Sequence, residues 1–136
     1  MHTERLTLRR FRDSDALALH RLDNDPAVMR YINGGTPVDL ENVECELLPE
    51  FTAMHPDPLG FWAAEFDTEF IGWFELAPAP DPVELRLGYR LHQHAWGRGF
   101  ATEGASFLLQ AAFVDPAVAV ISATTYEENT ASIAVM

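Results

Sequence analysis

A clean alternation of apolar and polar residues marks one β-strand near the centre of the chain. Successive side chains of a strand point to opposite faces, so this pattern predicts a strand with one buried face. The apolar face carries Val83, Leu85, Leu87, Tyr89 and Leu91, and the other carries Glu84, Arg86, Gly88, Arg90 and His92.

The hydrophobic spacing at the start of the chain predicts one strand and two helices. Residues 6–11 alternate as a first strand. A helix capped by Asp13 or Ser14 follows, and a second short helix spans residues 26–32 before a glycine-rich break.

A third helix and a hairpin come next. Apolar residues recur at helical spacing over residues 40–51, and Pro49 is expected to kink or end that helix. The aromatic-rich runs 61–66 and 70–76 are predicted to be two strands joined by a hairpin-sized turn.

The last third of the chain predicts two further helices and a strand. A helix covers residues 99–113, a β-rich run covers residues 117–125, and Asn129 begins a last helix. The order of elements is that of a mixed α/β fold. The predicted buried stripe of the first of these helices is Ala101, Ala105, Leu108, Leu109 and Ala112.

A glycine-containing turn lies between the central strand and the helix that follows it. Gly97 and Gly99 let the backbone approach a ligand closely. The helix directs its unpaired N–H groups and the positive end of its dipole to the same place. The turn therefore predicts a site for phosphate or pyrophosphate, with Arg98 as a charged clamp.

The composition is that of one soluble globular domain. Of 136 residues, 48% are hydrophobic and 11% aromatic, which suffices for a single core. The chain shows no apolar run of membrane-spanning length and no signal peptide, so the sequence predicts a cytoplasmic protein. Cys45 is the only cysteine, and we expect it to be a small buried residue on a helix.

The charge is unevenly distributed along the chain. The formal net charge is −12, and all nine cationic side chains are arginines. Between Tyr31 and Leu85 there is no Lys or Arg, whereas twelve Asp and Glu occur; we call this segment the acidic block. Such a segment disfavours nucleic acid and favours cationic partners. If the block lines a cleft, the second substrate is an amine; general solubility is the alternative explanation.

Four stretches of the sequence resemble the GNAT acyltransferase superfamily, and within it the RimJ/RimL-like group that acetylates amino groups with acetyl-CoA. They cover essentially the whole chain. They are residues 3–9, residues 87–92, the turn Trp96-Gly97-Arg98-Gly99-Phe100-Ala101-Thr102-Glu103, and residues 125–132 with Asn129 and Ser132.

The resemblance implies a single domain over residues 1–136, with a central, twisted, mostly antiparallel sheet flanked by helices. It implies acetyl-CoA as co-substrate, no metal, no membrane, and direct acetyl transfer to a primary amine, either a protein N-terminus or a small cationic amine. The implied cofactor contacts are Leu91, Gly97, Arg98, Gly99, Phe100, Ala101, Thr102, Asn129 and Ser132.

The catalytic assignments leave alternatives open. Glu84 is the candidate general base, and the alternatives are an ion pair with Arg86 or no dedicated base at all. Tyr126 stands where superfamily members often place the acid that protonates the thiolate; a loop tyrosine that only packs its ring is the other explanation. Asn129 contacts pantetheine or caps the last helix. Gly88 marks either a close backbone approach or a bulge.

The chain departs from the family pattern in two ways. Trp96 stands where the general superfamily has Gln or Arg, as is usual in the RimJ/RimL-like group. Relatives continue through two more strands after the last helix, so we expect a C-terminally truncated chain. Its exposed sheet edge would then favour a partner, for example in a homodimer. A GNAT-shaped protein that binds coenzyme A without turnover is the alternative function.

Other ligand-binding patterns fit less well. Thr102 occupies the third glycine position of a dinucleotide fingerprint, and the turn lacks the Gly-Lys-Ser/Thr of a P-loop. His92 and His94 have too few neighbouring ligands in the sequence for a metal site.

Overall fold

The computed structural model describes residues 1–136 and confirms the predicted order of elements. The strands are β1 Thr7–Arg10, β2 Gly60–Phe66, β3 Glu69–Pro78, β4 Glu84–Leu91 and β5 Val120–Ser122. The helices are α1 Ala16–Asp23, α2 Pro26–Asn33, α3 Leu40–Asn42, α4 Leu48–Phe51, α5 Phe100–Ala112 and α6 Thr130–Val135.

The five strands form one sheet in the order β1-β2-β3-β4-β5. All neighbours are antiparallel except β4 and β5, which are parallel. This pairing joins only Glu84–Arg86 to Val120–Ser122, so the rest of that edge of β4 has no strand partner. The mixed, mostly antiparallel sheet flanked by helices is thus confirmed.

The sheet separates two hydrophobic clusters. On one face, Phe61 and Trp73 pack with α1 to α4. On the other face, Phe74 packs with Phe100 and Leu108 of α5. Both faces of β3 are therefore covered by helices, which explains why its sequence is almost continuously apolar.

The hairpin between β2 and β3 has the predicted position and a two-residue turn. Asp67 and Thr68 both adopt a positive φ, of 49° and 66°. This is the backbone of a type I′ turn, whose twist matches that of the flanking strands.

The N-terminal cap of α1 differs from the prediction. Neither Asp13 nor Ser14 caps the helix, because both lie in a 3-10 turn before it; the buried residue Asp15 occupies the N-cap position of α1 without a side-chain hydrogen bond to the helix. Its carboxylate accepts a hydrogen bond from the Arg12 N–H at 2.8 Å and two from the Arg9 guanidinium at 2.8 and 2.9 Å. The ion pair with Arg9, which only the tertiary fold supplies, favours the buried carboxylate.

Pro49 does not end the third predicted helix. The chain passes from α3 through a π-helical turn at Val43–Leu47 into α4, and Pro49 lies in the first turn of α4. The π-helical turn before it changes the hydrogen-bond spacing at the point where the proline ring would clash with a regular α-helix. Cys45 was expected to be buried, but it is exposed because Val43 takes the inward position of this turn.

The buried stripe of α5 includes two residues that the pattern missed, Phe100 and Gly104. Ala101 and Leu109 are only partly buried, whereas Gly104 is fully so. A Cβ at Gly104 would lie 2.2 Å from Cζ of Phe74. The glycine therefore lets α5 lie flat against the sheet.

The last strand is shorter than the β-rich run predicted for residues 117–125, because β5 pairs over only three residues. None of the helices combines the length and the apolar character needed to cross a membrane.

Candidate active site

A continuous cleft runs from the glycine turn to the gap between β4 and β5. It consists of two adjoining cavities of about 840 and 720 Å³. The first is lined by the glycine turn and the second by β4, α5 and the segment after β5. The residues that line both include Tyr31, Tyr89, Arg90, Asn129 and Ser132.

The glycine turn presents free backbone amides to the first cavity. Gly97 and Gly99 have φ of +68° and +81°, a conformation that glycine adopts without steric cost. The first helical hydrogen bond of α5 is from the Glu103 N–H to the Gly99 carbonyl at 3.0 Å, so the amides of residues 100–102 have no helical partner. Gly97, Gly99 and residues 100–102 all line the cavity. This arrangement suits a diphosphate.

A charged network fastens the start of the chain to this turn. The Glu103 carboxylate accepts hydrogen bonds from the Thr3 hydroxyl, the Arg5 N–H and the Arg5 guanidinium. Arg5 also donates to the Arg98 carbonyl at 2.9 Å. Burial acts to raise the pKa of Glu103, but these hydrogen bonds outweigh it and hold that pKa below its ordinary value.

The network predicts a loss of stability in acid. Because the pKa of Glu103 is lower in the folded state, the unfolded chain takes up the proton first as the pH falls. The contribution of Glu103 is therefore complete above the ordinary carboxyl pKa and is lost as the pH drops towards the folded pKa. We expect Glu103→Gln to lower the free energy of unfolding by about 1 kcal/mol at pH 7, since a hydrogen-bonded charge is removed.

Urea denaturation at several pH values measures this effect. The substitution should also flatten the dependence of the unfolding free energy on pH between neutral and acidic conditions. Glu127→Gln, at an exposed residue without a partner, is the control. The prediction would be contradicted if the unfolding free energy of Glu103→Gln fell with decreasing pH as steeply as that of the unaltered chain.

The guanidinium of Arg98 lies elsewhere than expected. It stacks over the rings of Phe66 and Phe100, at 4.8 and 4.7 Å from their centroids, and it does not line either cavity. The two aromatic faces attract the cation and hold it outside the turn. The charged clamp is therefore absent from this structure, and the backbone amides are what the turn presents.

The unpaired edge of β4 offers backbone groups to the cleft. The His92 N–H bonds to β3, so the amide groups of Leu91 and Tyr89 point to the opposite edge. The Leu91 carbonyl there accepts a hydrogen bond from the Trp96 indole N–H at 2.9 Å. The Leu91 N–H and both backbone groups of Tyr89 are left for an extended ligand that pairs like a strand.

The residues after β5 close the other side of the cleft. The Asn129 side chain accepts a hydrogen bond from the Ser132 N–H at 3.2 Å, so it caps α6. The Ser132 hydroxyl accepts a hydrogen bond from the Tyr89 hydroxyl at 3.1 Å. Tyr126 is 61% exposed, and its ring stacks on Tyr31 at 6.4 Å between centroids. The structure thus brings Tyr126, Asn129 and Ser132 together around the cleft.

Comparison with known proteins assigns the family. Residues 5–136 match the acetyltransferase (GNAT) domain. The chain belongs to the GNAT acetyltransferase family. It is 32% identical over 145 residues to the FsC-acetyl coenzyme A-N(2)-transacetylase of Aspergillus fumigatus, a match that covers 100% of this chain and 62% of that relative. This GNAT chain therefore spans less than two thirds of the relative's length.

Solved structures share the GNAT fold. A GNAT-family acetyltransferase from Bacillus anthracis superposes with a TM-score of 0.85 at 24% identity, over 100% of this chain and 79% of that one. Spermidine N-acetyltransferase from Vibrio cholerae, in complex with CoA and spermine, superposes with a TM-score of 0.75 at 21% identity, over 96% of this chain and 77% of that one.

Glu84 lies apart from the other predicted site residues of the GNAT domain. It is the first residue of β4, it pairs with Val120, and it lines neither cavity. Gly88, which does line the cleft, is four positions further along the strand, at a distance of about 13 Å. Glu84 is half-buried and Arg86 is exposed, and no ion pair joins them.

The acidic block does not line the cleft either. None of its twelve carboxylates is among the lining residues. Asp57 is paired with Arg10, and Glu65 is paired with Arg9, so part of the block neutralises the arginine-rich start of the chain. The expected cationic preference cannot therefore be based on the block as a whole.

Sequence reasoning missed one carboxylate beside the cleft, Glu75 of β3. It is the register partner of Gly88, and its Oε2 atom lies 3.3 Å from the position of a Cβ built on Gly88. It forms no ion pair and no side-chain hydrogen bond. Burial raises the pKa of Glu75, an effect that Arg86 partly offsets. The signal in the sequence is one glutamate inside an otherwise apolar strand.

Two buried N–H donors lie at the floor of the cleft. The Arg90 guanidinium pairs with buried Asp23 and lies over Trp73, at 5.0 Å from its ring centroid. Nε of Arg90 and Nε1 of Trp73 have no hydrogen-bond partner within the protein. Buried donors of this kind are costly unless a ligand or water satisfies them.

Proposed function

We propose that this GNAT domain transfers the acetyl group of acetyl-CoA to a primary amine in a ternary complex. The observation that carries the proposal is the single cleft that joins the free amides of the glycine turn to the unpaired edge of β4. Such a cleft suits a long ligand with a diphosphate at one end and amide groups along its length.

The residues of the cleft fit the parts of coenzyme A. The amides of Gly97, Gly99 and residues 100–102 would hold the diphosphate. Leu91 and Tyr89 would pair with the pantetheine amides through the free edge of β4. Their N–H groups would also polarise the thioester carbonyl. The coenzyme supplies the activated acetyl group; the chain supplies position and charge.

Three residues after β5 complete the proposed site in two roles. Ser132 would contact pantetheine together with Asn129, which also caps α6. The Tyr126 hydroxyl would protonate the departing thiolate. Both roles depend on the segment after β5 keeping its place beside the cleft.

The acceptor is proposed to be a protein N-terminus or a small cationic amine. The stretches 3–9, 87–92 and 96–103 favour the RimJ/RimL-like group, which acetylates amino groups. The name of the Aspergillus fumigatus relative specifies transfer to a nitrogen, and the Vibrio cholerae structure holds spermine. Both support an amine as the second substrate.

Two measurements test the function. We expect acetyl-CoA to raise the melting temperature of the protein, and thiol release to depend on an added amine. Spermine and a short peptide with a free N-terminus are the acceptors, and an N-terminally acetylated peptide is the control. Stabilisation without thiol release would instead support a GNAT-shaped protein that binds coenzyme A without turnover. Absence of stabilisation would contradict both functions.

A further inference from the structure

The cleft has an opening to the far face of the sheet at Gly88. Trp73, Gly88 and Arg90 line it from the face of α1 to α4, whereas Leu87 and Tyr89 line it from the face of α5. The cleft therefore passes around the unpaired edge of β4. The diphosphate and the acceptor can thus approach the edge from different sides.

The absence of a side chain at Gly88 leaves this opening flanked by two residues of β3. A Cβ there would lie 3.3 Å from Oε2 of Glu75 and 3.9 Å from Cζ3 of Trp73. Glu75 itself lines neither cavity, but Gly88 does, and an acceptor nitrogen at the position of that Cβ would lie beside the Glu75 carboxylate and the Trp73 indole. The Glu75 Oε2 atom is the nearest atom to that position.

The surroundings of Glu75 suit a carboxylate that exchanges a proton. Its register neighbours are Phe61 and Gly88, and neither can donate a side-chain hydrogen bond. Three charged or titratable groups from other elements act on it: Arg86 of β4, Glu50 of α4 and His55 of the following loop. Arg86 and His55 lower its pKa, Glu50 raises it, and burial is the largest influence. The net effect raises the pKa of Glu75, which makes the carboxylate a stronger base than an exposed one.

We propose that Glu75 is the general base that takes the proton from the acceptor ammonium at the opening over Gly88. This assignment rests on the proposed function and deepens it by placing the base on β3 rather than at Glu84. The proton passes from the ammonium nitrogen to a Glu75 oxygen, and the freed lone pair attacks the thioester carbonyl carbon. The C–N bond forms and the C–S bond breaks; the Tyr126 hydroxyl protonates the departing thiolate, and the second proton of the attacking nitrogen restores that hydroxyl. Glu75 then releases its proton to water.

The dependence of kcat/KM on pH in Glu75→Gln tests the assignment. In the unaltered protein, activity should rise through the pKa of Glu75 and level off well below the pKa of the amine. The Gln variant keeps the shape of the side chain but accepts no proton, so only the free amine reacts. We expect kcat at pH 7 to fall about 100-fold. The activity of the variant should then increase about tenfold per pH unit towards the amine pKa, near 10.

Matched variants separate catalysis from folding. Glu75→Asp keeps the carboxylate and should retain the acid limb of the profile with a lower kcat. Glu84→Gln tests the competing base. Glu46→Gln removes an exposed carboxylate of the acidic block and should leave the profile unchanged. The melting temperature of Glu75→Gln should be no lower than that of the unaltered protein, because burial disfavours the ionised carboxylate in the folded state. The increase with acetyl-CoA should be the same in both proteins.

The outcomes distinguish the two proposals. Thiol release by Glu75→Gln at the unaltered rate and with the same pH profile would overturn the role of Glu75 and leave the proposed function intact. A loss of the acid limb in Glu84→Gln alone would assign the base to Glu84. If the unaltered protein acetylates none of the amines, the proposed function itself fails.

Discussion

Replacing Gly99 with valine is expected to weaken the binding of coenzyme A about 100-fold while the protein stays folded. Gly99 precedes α5 with φ of +81°, a conformation that costs a β-branched residue about 1–2 kcal/mol. The chain relieves this strain by moving out of the left-handed region. That movement carries the amides of residues 100–102 away from the diphosphate.

The size of the effect follows from the hydrogen bonds that are lost. Each hydrogen bond to a charged group contributes about 1.5–3 kcal/mol, and two such bonds suffice for the expected change in Kd. The added Cβ would lie 3.3 Å from Nη2 of Arg5, which is the mobile end of a side chain and can move aside. The direct steric effect on the fold is therefore small.

Isothermal titration with coenzyme A measures the Kd. Gly34→Val is the matched control, because Gly34 has a similar φ of +71°, has no atom within 4 Å of its Cβ position and lines neither cavity. It should lose stability and keep the affinity. Unchanged affinity in Gly99→Val would show that the turn does not hold the diphosphate.

Replacing Gly72 with alanine should lower the free energy of unfolding by about 3 kcal/mol or more. Gly72 of β3 has φ of +143°, and its Cβ would lie 2.1 Å from the Arg90 carbonyl oxygen and 2.7 Å from Cα of Leu91. Both contacts are to backbone atoms, which cannot move without separating β3 from β4. Backbone strain and overpacking each cost about 1–3 kcal/mol.

Chemical denaturation measures this loss, and Gly34→Ala separates its two causes. The control has a positive φ but no neighbouring atom, so it should cost only about 1–2 kcal/mol. Because Leu91 and Arg90 line the cleft, Gly72→Ala should also weaken coenzyme A binding. Equal losses of stability in the two variants would mean that the contact with β4 is not tight.

Much of the fold could be predicted from local pattern. The alternation in β4, the two glycines of the turn and the apolar spacing of α5 are properties of contiguous residues, and the structure has each element where it was expected. The start of α1 could not be predicted in this way, because the Asp15 carboxylate at its N-cap position bonds to Arg9 and Arg12 in the folded state rather than to the helix. The need for a glycine at position 104 was missed because it arises from contact with the ring of Phe74, which lies on another element.

In the candidate site, too, features that depend on contiguous residues could be predicted, whereas those that depend on tertiary contacts could not. The glycine turn and its free backbone amides could be predicted from contiguous residues, since a glycine turn before a helix start exposes them by local geometry alone. The orientation of Arg98 could not be predicted, because its guanidinium stacks on Phe66 and Phe100 instead of facing the turn. These two rings belong to different elements and meet only in the folded protein. Glu84 and Glu75 are both glutamates on strands, and only the register of β3 against β4 places Glu75 beside Gly88.

The sequence by itself therefore determined the elements, their order, the family and the glycine turn before α5, because each depends on residues adjacent in the chain. The tertiary structure alone decided which side chains meet at the cleft. Strand register, the early end of the β4–β5 pairing and the long-range ion pairs bring together residues far apart in the chain. The energies that select those contacts are not encoded in any local pattern.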